Sequence, residues 1–299
     1  MEDSLSIHHA VDKIATKINF KMVMILIVAL STMYTTAGDT YITIFTGFIP
    51  YTEWECVSEK CFLFLDQANS TEEFYTEHSM CHHELVVGHD FNWTSSRTSF
   101  SMDWEIYCDN ASKLTVASSF FFIGAFLGLL SFSAIFDQIG RKNGAIVGIL
   151  ISGVASLAGM WIPSYEGLLA IRIFQGFGQY INVTGVYCWL VEFSSSFFRE
   201  SASAIICDAW AVGYIIIVAI GYFIPYWRYI FLTQGVIDIV TVIPLFLLPV
   251  SPRFSLVRGQ EKQAKKTLES FSKICGNKTS FEEEALETVS KLVTPISQA

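Results

Sequence analysis

Six long apolar stretches constrain the fold of this chain more than any other feature of its sequence. They cover residues 22–46, 113–136, 144–163, 167–191, 202–225 and 229–249. Each is long enough for a helix that crosses a bilayer, which takes about 20 mostly apolar residues. Because lipid offers the backbone no hydrogen bonds, a stretch of this kind must be helical. We therefore expect an all-α membrane protein with six transmembrane helices.

The composition also indicates a membrane protein. Of the 299 residues, 52% are hydrophobic and only 16% are charged, whereas soluble domains carry about 25% charged residues. The net charge of −9 comes from residues 47–112, which contain twelve acidic and two basic residues. The rest of the chain is close to neutral, so the charge does not indicate a nucleic-acid partner.

Basic residues predict the orientation of the six helices, because Lys and Arg concentrate on the cytoplasmic side of membrane proteins. They lie in residues 1–21, 137–143 and 250–299, and Arg199 lies between the fourth and fifth stretches. These segments are predicted to be cytoplasmic, and residues 47–112 are predicted to form a large extracellular loop. We thus expect a multi-pass plasma-membrane protein with both termini in the cytoplasm.

The predicted extracellular loop carries candidate disulfide cysteines and candidate glycosylation sites. The cysteines are Cys56, Cys61, Cys81 and Cys108. Four cysteines allow three connectivities, and the sequence does not choose among them. The acceptor residues of the N-x-S/T sequons are Asn69, Asn92 and Asn110. Cysteines outside this loop are expected to be reduced, namely Cys188, Cys207 and Cys275.

A histidine cluster surrounds one of these cysteines. His78, His82 and His83 lie near Cys81, and these residue types can bind zinc. Their spacing is looser than that of known zinc motifs. We interpret the cluster as a disulfide cysteine beside solvated histidines and predict no metal site.

Four charged residues fall inside the predicted helices, where a charge costs about 2.5–3.5 kcal/mol on insertion scales. They are Asp39, Arg172, Asp208 and Asp238. At about 1.5 Å per helical residue, Asp39 and Arg172 lie at similar depth and could form an ion pair. The alternative is that both face water in an outer vestibule.

The other two intramembrane charges give a less specific signal. Asp208 is followed by Trp210 and two tyrosines in the same stretch. An acidic side chain beside aromatic rings suits an organic cation. A structural pairing of Asp208 with Arg141 is the alternative. Asp238 lies nearest the midplane, and we predict no role for it.

Two short motifs resemble signatures of the major facilitator superfamily. Residues 137–142 read DQIGRK, similar to the loop G-x-x-x-D-R-x-G-R-[RK] that closes the cytoplasmic side of these transporters. Gln138 replaces a basic residue of that motif, and Ser133 replaces its leading glycine. Residues 172–176 read RIFQG, similar to the family's R-x-x-Q-G. The resemblance implies gating roles for Asp137, Gly140, Arg141, Lys142, Arg172, Gln175 and Gly176.

A third segment resembles the organic cation, anion and zwitterion transporters of that superfamily. Residues 251–254 read SPRF where this family has SPRW. The family also has a long disulfide-bonded outer loop and a P-x-W-R turn, which residues 225–228 match. This resemblance covers most of residues 20–275 and implies gating roles for Glu192, Pro252 and Arg253.

The same resemblance locates a substrate cavity. It implies that Asn182 and Tyr187 line this cavity, and the charge pattern adds Asp208 and Trp210. Val183 stands where cation-transporting members often carry Trp, which weakens the prediction of ordinary cation selectivity.

We interpret the chain as the N-terminal half of a major facilitator fold that transports small organic ions by alternating access. A sugar-type facilitator is one alternative, and a non-transporting truncated isoform that binds a full-length transporter is another. Six helices are half of what the mechanism needs. The expected partners are therefore a missing C-terminal half or a second copy, besides the organic ion and membrane lipid. No enzyme activity and no cofactor are expected.

Overall fold

The structure is a computed structural model, and it describes residues 20–49, 54–58, 61, 91–193 and 196–247. Six long helices make up most of these ranges: α1 Phe20–Thr46, α2 Ser112–Ile139, α3 Arg141–Ala158, α4 Tyr165–Phe193, α5 Ser196–Phe223 and α6 Trp227–Leu247. Each covers one of the apolar stretches, with its ends shifted by less than two turns. The largest shift is at α5, which begins at Ser196 because the polar residues before the apolar stretch continue the helix.

Three segments of the described ranges are long and apolar enough on their own to cross a membrane. They are Cys108–Phe132, Arg141–Trp161 and Trp227–Phe246. The apolar part of α5, Cys207–Phe223, is shorter. The chain is therefore a mostly helical protein with membrane-type helices, and the six-span topology stays a prediction.

Short elements connect the long helices. Only Gly140 separates α2 from α3, and its φ of 84° lies in the left-handed region that favours glycine. A 3₁₀ turn over Gly159–Trp161 follows α3. The segment between α1 and α2 contains strands β1 Trp54–Cys56 and β2 Phe91–Trp93, which pair antiparallel. These two short strands are the exception to the all-α prediction.

Close backbone contact joins α2 to α4. A Cβ atom on Gly176 would lie 1.9 Å from the carbonyl oxygen of Phe121, and one on Gly124 would lie 2.0 Å from that of Ile173. Small residues let membrane helices approach in this way. Helix α4 therefore packs between α2 and α3, while α1 packs against α4, α5 and α6.

Two apolar clusters lie at opposite ends of the bundle. The inner apolar cluster, at the predicted cytoplasmic end, comprises Val28, Met33, Ala145, Ile146, Ile149, Val186, Trp189, Leu190, Ala209, Val242 and Leu245. The outer apolar cluster comprises Ile42, Phe100, Ile106, Ala117, Ile162, Leu168, Ile217, Trp227, Ile230 and Phe231. The residues between them on α1, α3, α4 and α6 are polar and buried.

The segment before α2 ties the outer helix ends together. Asp103 accepts a hydrogen bond from the indole of Trp227 at 3.0 Å and forms a salt bridge with Arg228 at 3.4 Å. Arg228 also donates to the carbonyl oxygens of Met160 and Ile162. The outer ends of α3 and α6 are thereby held against the predicted extracellular loop.

A buried polar layer as the candidate functional site

A buried polar layer crosses the middle of the bundle. It comprises Asp39 of α1, Ser152 and Ser156 of α3, Arg172, Gln175 and Gln179 of α4, and Gln234 and Asp238 of α6. Each of these side chains is buried. Within each helix the members are three or four residues apart, so they share one face. Four helices thus direct hydrogen-bonding groups to one place.

The Asp39 carboxylate is the most heavily bonded group of the layer. Its Oδ2 accepts hydrogen bonds from the Ser152 hydroxyl at 2.5 Å and from the Gln179 amide at 2.6 Å. Its Oδ1 accepts from the Ser156 hydroxyl at 3.1 Å. Short bonds to several donors are typical of a carboxylate that has lost contact with water.

The structure brings Arg172 to Asp39, and their contact runs through the backbone and a glutamine. The guanidinium donates to the backbone carbonyl of Asp39 at 2.6 Å and to the side chain of Gln175 at 2.9 Å. The Gln175 amide in turn reaches Asp39 Oδ1 at 3.4 Å. Arg172 also stacks over the Phe121 ring, 4.5 Å from its centroid. This arginine is wholly buried, so the vestibule alternative does not describe its surroundings.

Asp238 adjoins Asp39 and shares its donors. Ser152 lies 3.4 Å and Gln179 3.3 Å from Asp238 Oδ2, and the two carboxyl groups are within hydrogen-bond reach of each other. Gln234 donates to Asp238 Oδ1 at 3.1 Å and to the carbonyl oxygen of Thr35 at 3.0 Å. No role was predicted for Asp238, although a glutamine four residues earlier in an apolar helix indicates a polar face.

The charges of this layer do not balance. With all three groups ionised, Asp39 and Asp238 carry two negative charges and Arg172 one positive charge. A net charge in a medium of low dielectric constant is strongly unfavourable unless it is neutralised. The arrangement is therefore suited to hold one additional positive charge, such as a proton.

The four predicted cavity residues do not gather into one enclosed site. Asn182 is wholly buried, whereas Tyr187 is 40% exposed and Asp208 is exposed on α5. Trp210 packs edge-on against Tyr41, with ring centroids 6.5 Å apart. Tyr41 also contacts Tyr214 at 4.8 Å, which makes an aromatic surface between α1 and α5.

The first turn of α3 contacts the end of α6. The Lys142 ammonium donates to the carbonyl oxygen of Phe246 at 3.0 Å, in the last turn of that helix. Arg141 is partly buried beside it. Four further predicted gating residues fall outside what the structure describes: the side chains of Asp137 and Glu192, and the whole of Pro252 and Arg253.

The predicted extracellular loop is described in part. Cys56 forms a disulfide with Cys61, and Cys108 is also disulfide-bonded. Neither Cys188 nor Cys207 forms a disulfide bond. Asn92 and Asn110 are both exposed, in β2 and in a 3₁₀ turn before α2. Residues outside the described ranges include Cys81, Asn69, Cys275 and the histidine cluster.

Comparison with known proteins identifies the family. The family model described as "Sugar (and other) transporter" matches residues 40–294. The chain belongs to this family. Its members are transporters of the major facilitator superfamily, which the loop motifs predicted.

Curated relatives include two members of solute carrier family 22 and an organic anion transporter. Solute carrier family 22 member 1 of Oryctolagus cuniculus is 26% identical over 62% of this chain and 33% of that protein. Solute carrier family 22 member 7 of Mus musculus is 26% identical over 70% and 40%. Organic anion transporter 3 of Sus scrofa is 27% identical over 64% and 35%. The chain thus spans between a third and two fifths of the length of these relatives.

Solved structures show the same fold. The proton:xylose symporter XylE, bound to a bromodeoxyglucose, superposes with a TM-score of 0.61 at 17% identity, covering 92% of this chain and 53% of that one. A partially occluded, inward-open form of XylE from E. coli gives 0.59 at 16% identity, covering 92% and 59%. The fold of this chain is therefore that of the major facilitator superfamily.

Proposed function

We propose that this chain takes part in secondary transport of small organic ions across the plasma membrane by alternating access. In this proposal all six long helices span the membrane and both termini are cytoplasmic. The observation that carries it is the buried polar layer, held between two apolar clusters in a major facilitator fold. Charged groups inside a membrane are costly, and those that persist mark substrate or ion pathways.

The same layer supports coupling to protons. One proton on the Asp39–Asp238 pair would neutralise the layer, because Arg172 then balances the remaining carboxylate. Ser152 and Gln179 can donate hydrogen bonds to either carboxylate. Alternating access needs a central site that opens to one side of the membrane in one conformation and to the other side in a second conformation.

The relatives and the aromatic surface between α1 and α5 favour an organic ion as the substrate. The curated relatives include an organic anion transporter, whereas aromatic rings such as those of Tyr41, Trp210 and Tyr214 attract organic cations. A sugar is the second candidate, because the neighbours in fold are xylose transporters and the layer is rich in glutamine side chains.

Uptake into cells that express the full natural protein tests the proposal. The probes are radiolabelled tetraethylammonium, benzoate and xylose, each offered with and without an inward proton gradient. We expect one organic ion to accumulate only with the gradient. Asp39→Asn should abolish this accumulation, whereas Asp109→Asn, which removes an exposed carboxylate far from the layer, should leave it unchanged. Equal accumulation of all probes by expressing and non-expressing cells would refute the transport proposal.

A further inference from the structure

Asn182 is a buried polar side chain that finds no hydrogen-bond partner in the described part of the chain. It is wholly inaccessible, and neither its amide oxygen nor its amide nitrogen has a hydrogen bond among the described residues. Leaving such a group unpaired is unfavourable, because the amide loses its hydrogen bonds to water and gains none in return. In native proteins, buried polar groups of this kind are usually satisfied by an ordered water molecule.

The position of Asn182 relates it to the carboxyl pair. It follows Gln179 by three residues on the same face of α4, which is about 4.5 Å farther along the helix axis. Gln179 donates to both Asp39 and Asp238 and accepts a hydrogen bond from Thr36 at 3.1 Å. The polar layer therefore continues from the carboxyl pair to Asn182, in the direction of the predicted cytoplasmic end.

On its outer side, the carboxyl pair faces a fixed positive charge and not a neutral polar group. There Arg172 is fixed by its bonds to the backbone carbonyls of Asp39 and Thr40 and by the Phe121 ring. Fixed arginines exclude protons from other membrane pathways by electrostatic repulsion. A proton leaving the pair would therefore meet a positive charge on the outer side and neutral polar groups on the inner side.

Titratable groups face this region from three of the four packed helices. Asp39 and Tyr34 come from α1, Arg172 from α4 and Asp238 from α6. Helix α3 contributes only the hydroxyl groups of its two serines to the layer. Among these groups, the carboxyl pair is the one to which the proposed transport assigns the coupling proton.

We propose that Asn182 holds a bound water molecule that relays the coupling proton from the Asp39–Asp238 pair toward the cytoplasm, through the interior of the six-helix bundle. The protonated carboxyl group transfers its proton to the water and becomes a carboxylate. The resulting hydronium donates to the Asn182 carbonyl and passes one proton inward, which restores neutral water. Asn182 itself is unchanged. This relay rests on the proposed proton-coupled transport.

The inner apolar cluster is the barrier beyond Asn182. Its buried members Val28, Ile146 and Val186 lie nearer than Asn182 to the predicted cytoplasmic ends of α1, α3 and α4. They contribute no hydrogen-bonding side chains, so the relay is interrupted there in this conformation. Opening of the helix ends in the inward-facing state would admit water up to Asn182 and complete the path.

Two variants and a matched control test the relay in the full natural protein. Asn182→Leu removes both amide groups at similar volume, and Asn182→Ser keeps a hydroxyl group and leaves room for water. The control, Thr184→Val, removes a hydroxyl from the same helix whose hydrogen bond stays within α4, to the carbonyl oxygen of Tyr180. Elution as a single folded species in size-exclusion chromatography checks folding.

The first measurement detects the water without any transport. X-ray radiolysis converts bound water to hydroxyl radicals, which oxidise adjacent side chains, and mass spectrometry locates the oxidation. We expect oxidation in the buried segment 179–186 of the natural protein, of Asn182→Ser and of Thr184→Val, and its loss in Asn182→Leu. An unoxidised segment in the natural protein would overturn the proposal, whatever the protein transports.

The second measurement separates proton movement from solute movement. We expect Asn182→Leu to slow gradient-driven accumulation of the transported probe about a hundredfold, the lower end of what a positioned proton-transfer group contributes. Counterflow exchange, which needs no net proton movement, should persist, and Asn182→Ser should recover most of the accumulation. Equal loss of accumulation and counterflow, or no loss of either, would overturn the relay. Absence of gradient-driven uptake in the natural protein would instead refute the proposed function.

Discussion

At the scale of single residues, three charged side chains can stay buried in the middle of the bundle because hydrogen bonds and opposite charge from neighbouring helices replace water. Asp39 accepts bonds from α3 and α4, Asp238 shares two of those donors, and Arg172 neutralises one of the two carboxylates. Each group is wholly buried, so removing one member leaves the others without compensation. A buried charge that loses its partner typically costs about 3–5 kcal/mol.

This coupling predicts a non-additive pair of substitutions. Arg172→Gln leaves a negative layer and should lower the free energy of unfolding by about 3–5 kcal/mol. Asp39→Asn in the same chain returns the layer to its natural net charge, so the double variant should be more stable than Arg172→Gln alone. Thermal unfolding of the purified variants in detergent, arranged as a double-mutant cycle, measures the interaction. Additive losses would show that Arg172 and Asp39 act independently.

At the scale of elements, the crossing of α2 and α4 fixes where the layer sits. Residues Arg172, Gln175 and Gln179 lie on one face of α4. Gly176 follows Arg172 by four residues and so borders that face, and with Gly124 it allows the close approach of α2. Because Gly176 has no side chain, α2 can pack beside the polar residues that α4 presents to α1, α3 and α6.

The crossing predicts the effect of added methyl groups. Gly176→Ala would place a Cβ atom against the backbone of Phe121, which cannot move without shifting α2. We expect the free energy of unfolding to fall by more than about 1–3 kcal/mol, the usual range for overpacking. The yield of folded protein should fall as well. The yield is measured by size-exclusion chromatography with a fluorescent tag.

The matched control for this substitution is Gly167→Ala. Near the outer end of α4, its Cβ would meet the side chain of Ile162 at 3.0 Å and the Ser164 hydroxyl at an ordinary contact distance of 3.6 Å. That methyl group can give way at small cost, so the control should fold nearly normally. Equal yields for both variants would contradict the close-crossing account.

Much of the fold could be predicted from the sequence, and the reasons differ by element. Apolar length located all six long helices, because the physics of a backbone in lipid depends only on local sequence. The depth of each charge in the membrane predicted that Asp39 lies near Arg172, since depth follows from counting residues along a helix. The role of Asp238 depends on the rotation of α6 about its axis, and a uniformly apolar helix gives little information about rotation.

Two further features, the disulfide pairing in the outer loop and the contacts of Gln175, could not be predicted from the sequence. Three connectivities were open for Cys56, Cys61, Cys81 and Cys108, and the observed Cys56–Cys61 bond is the most local of the possible pairs. The bridging role of Gln175 was also missed, because the motif R-x-x-Q-G identified it without showing what its amide would contact. Tertiary proximity decided both features.

At the scale of the whole molecule, the two apolar clusters and the polar layer form three successive zones along the bundle. The clusters exclude water at both ends, and the layer holds the only wholly buried charges among the described residues. A rocking motion of the bundle would expose the layer to one side of the membrane at a time. The central claim is therefore that the Asp39–Asp238 pair carries a proton during solute transport.

Simultaneous recording of proton and solute flux tests this claim most directly. The full natural protein is reconstituted into vesicles that contain a pH-sensitive dye, and the transported probe is added outside. We predict that the lumen acidifies in fixed proportion to solute uptake, and that Asp39→Asn and Asp238→Asn abolish acidification while counterflow exchange persists. Solute uptake by the natural protein without any acidification would contradict the account.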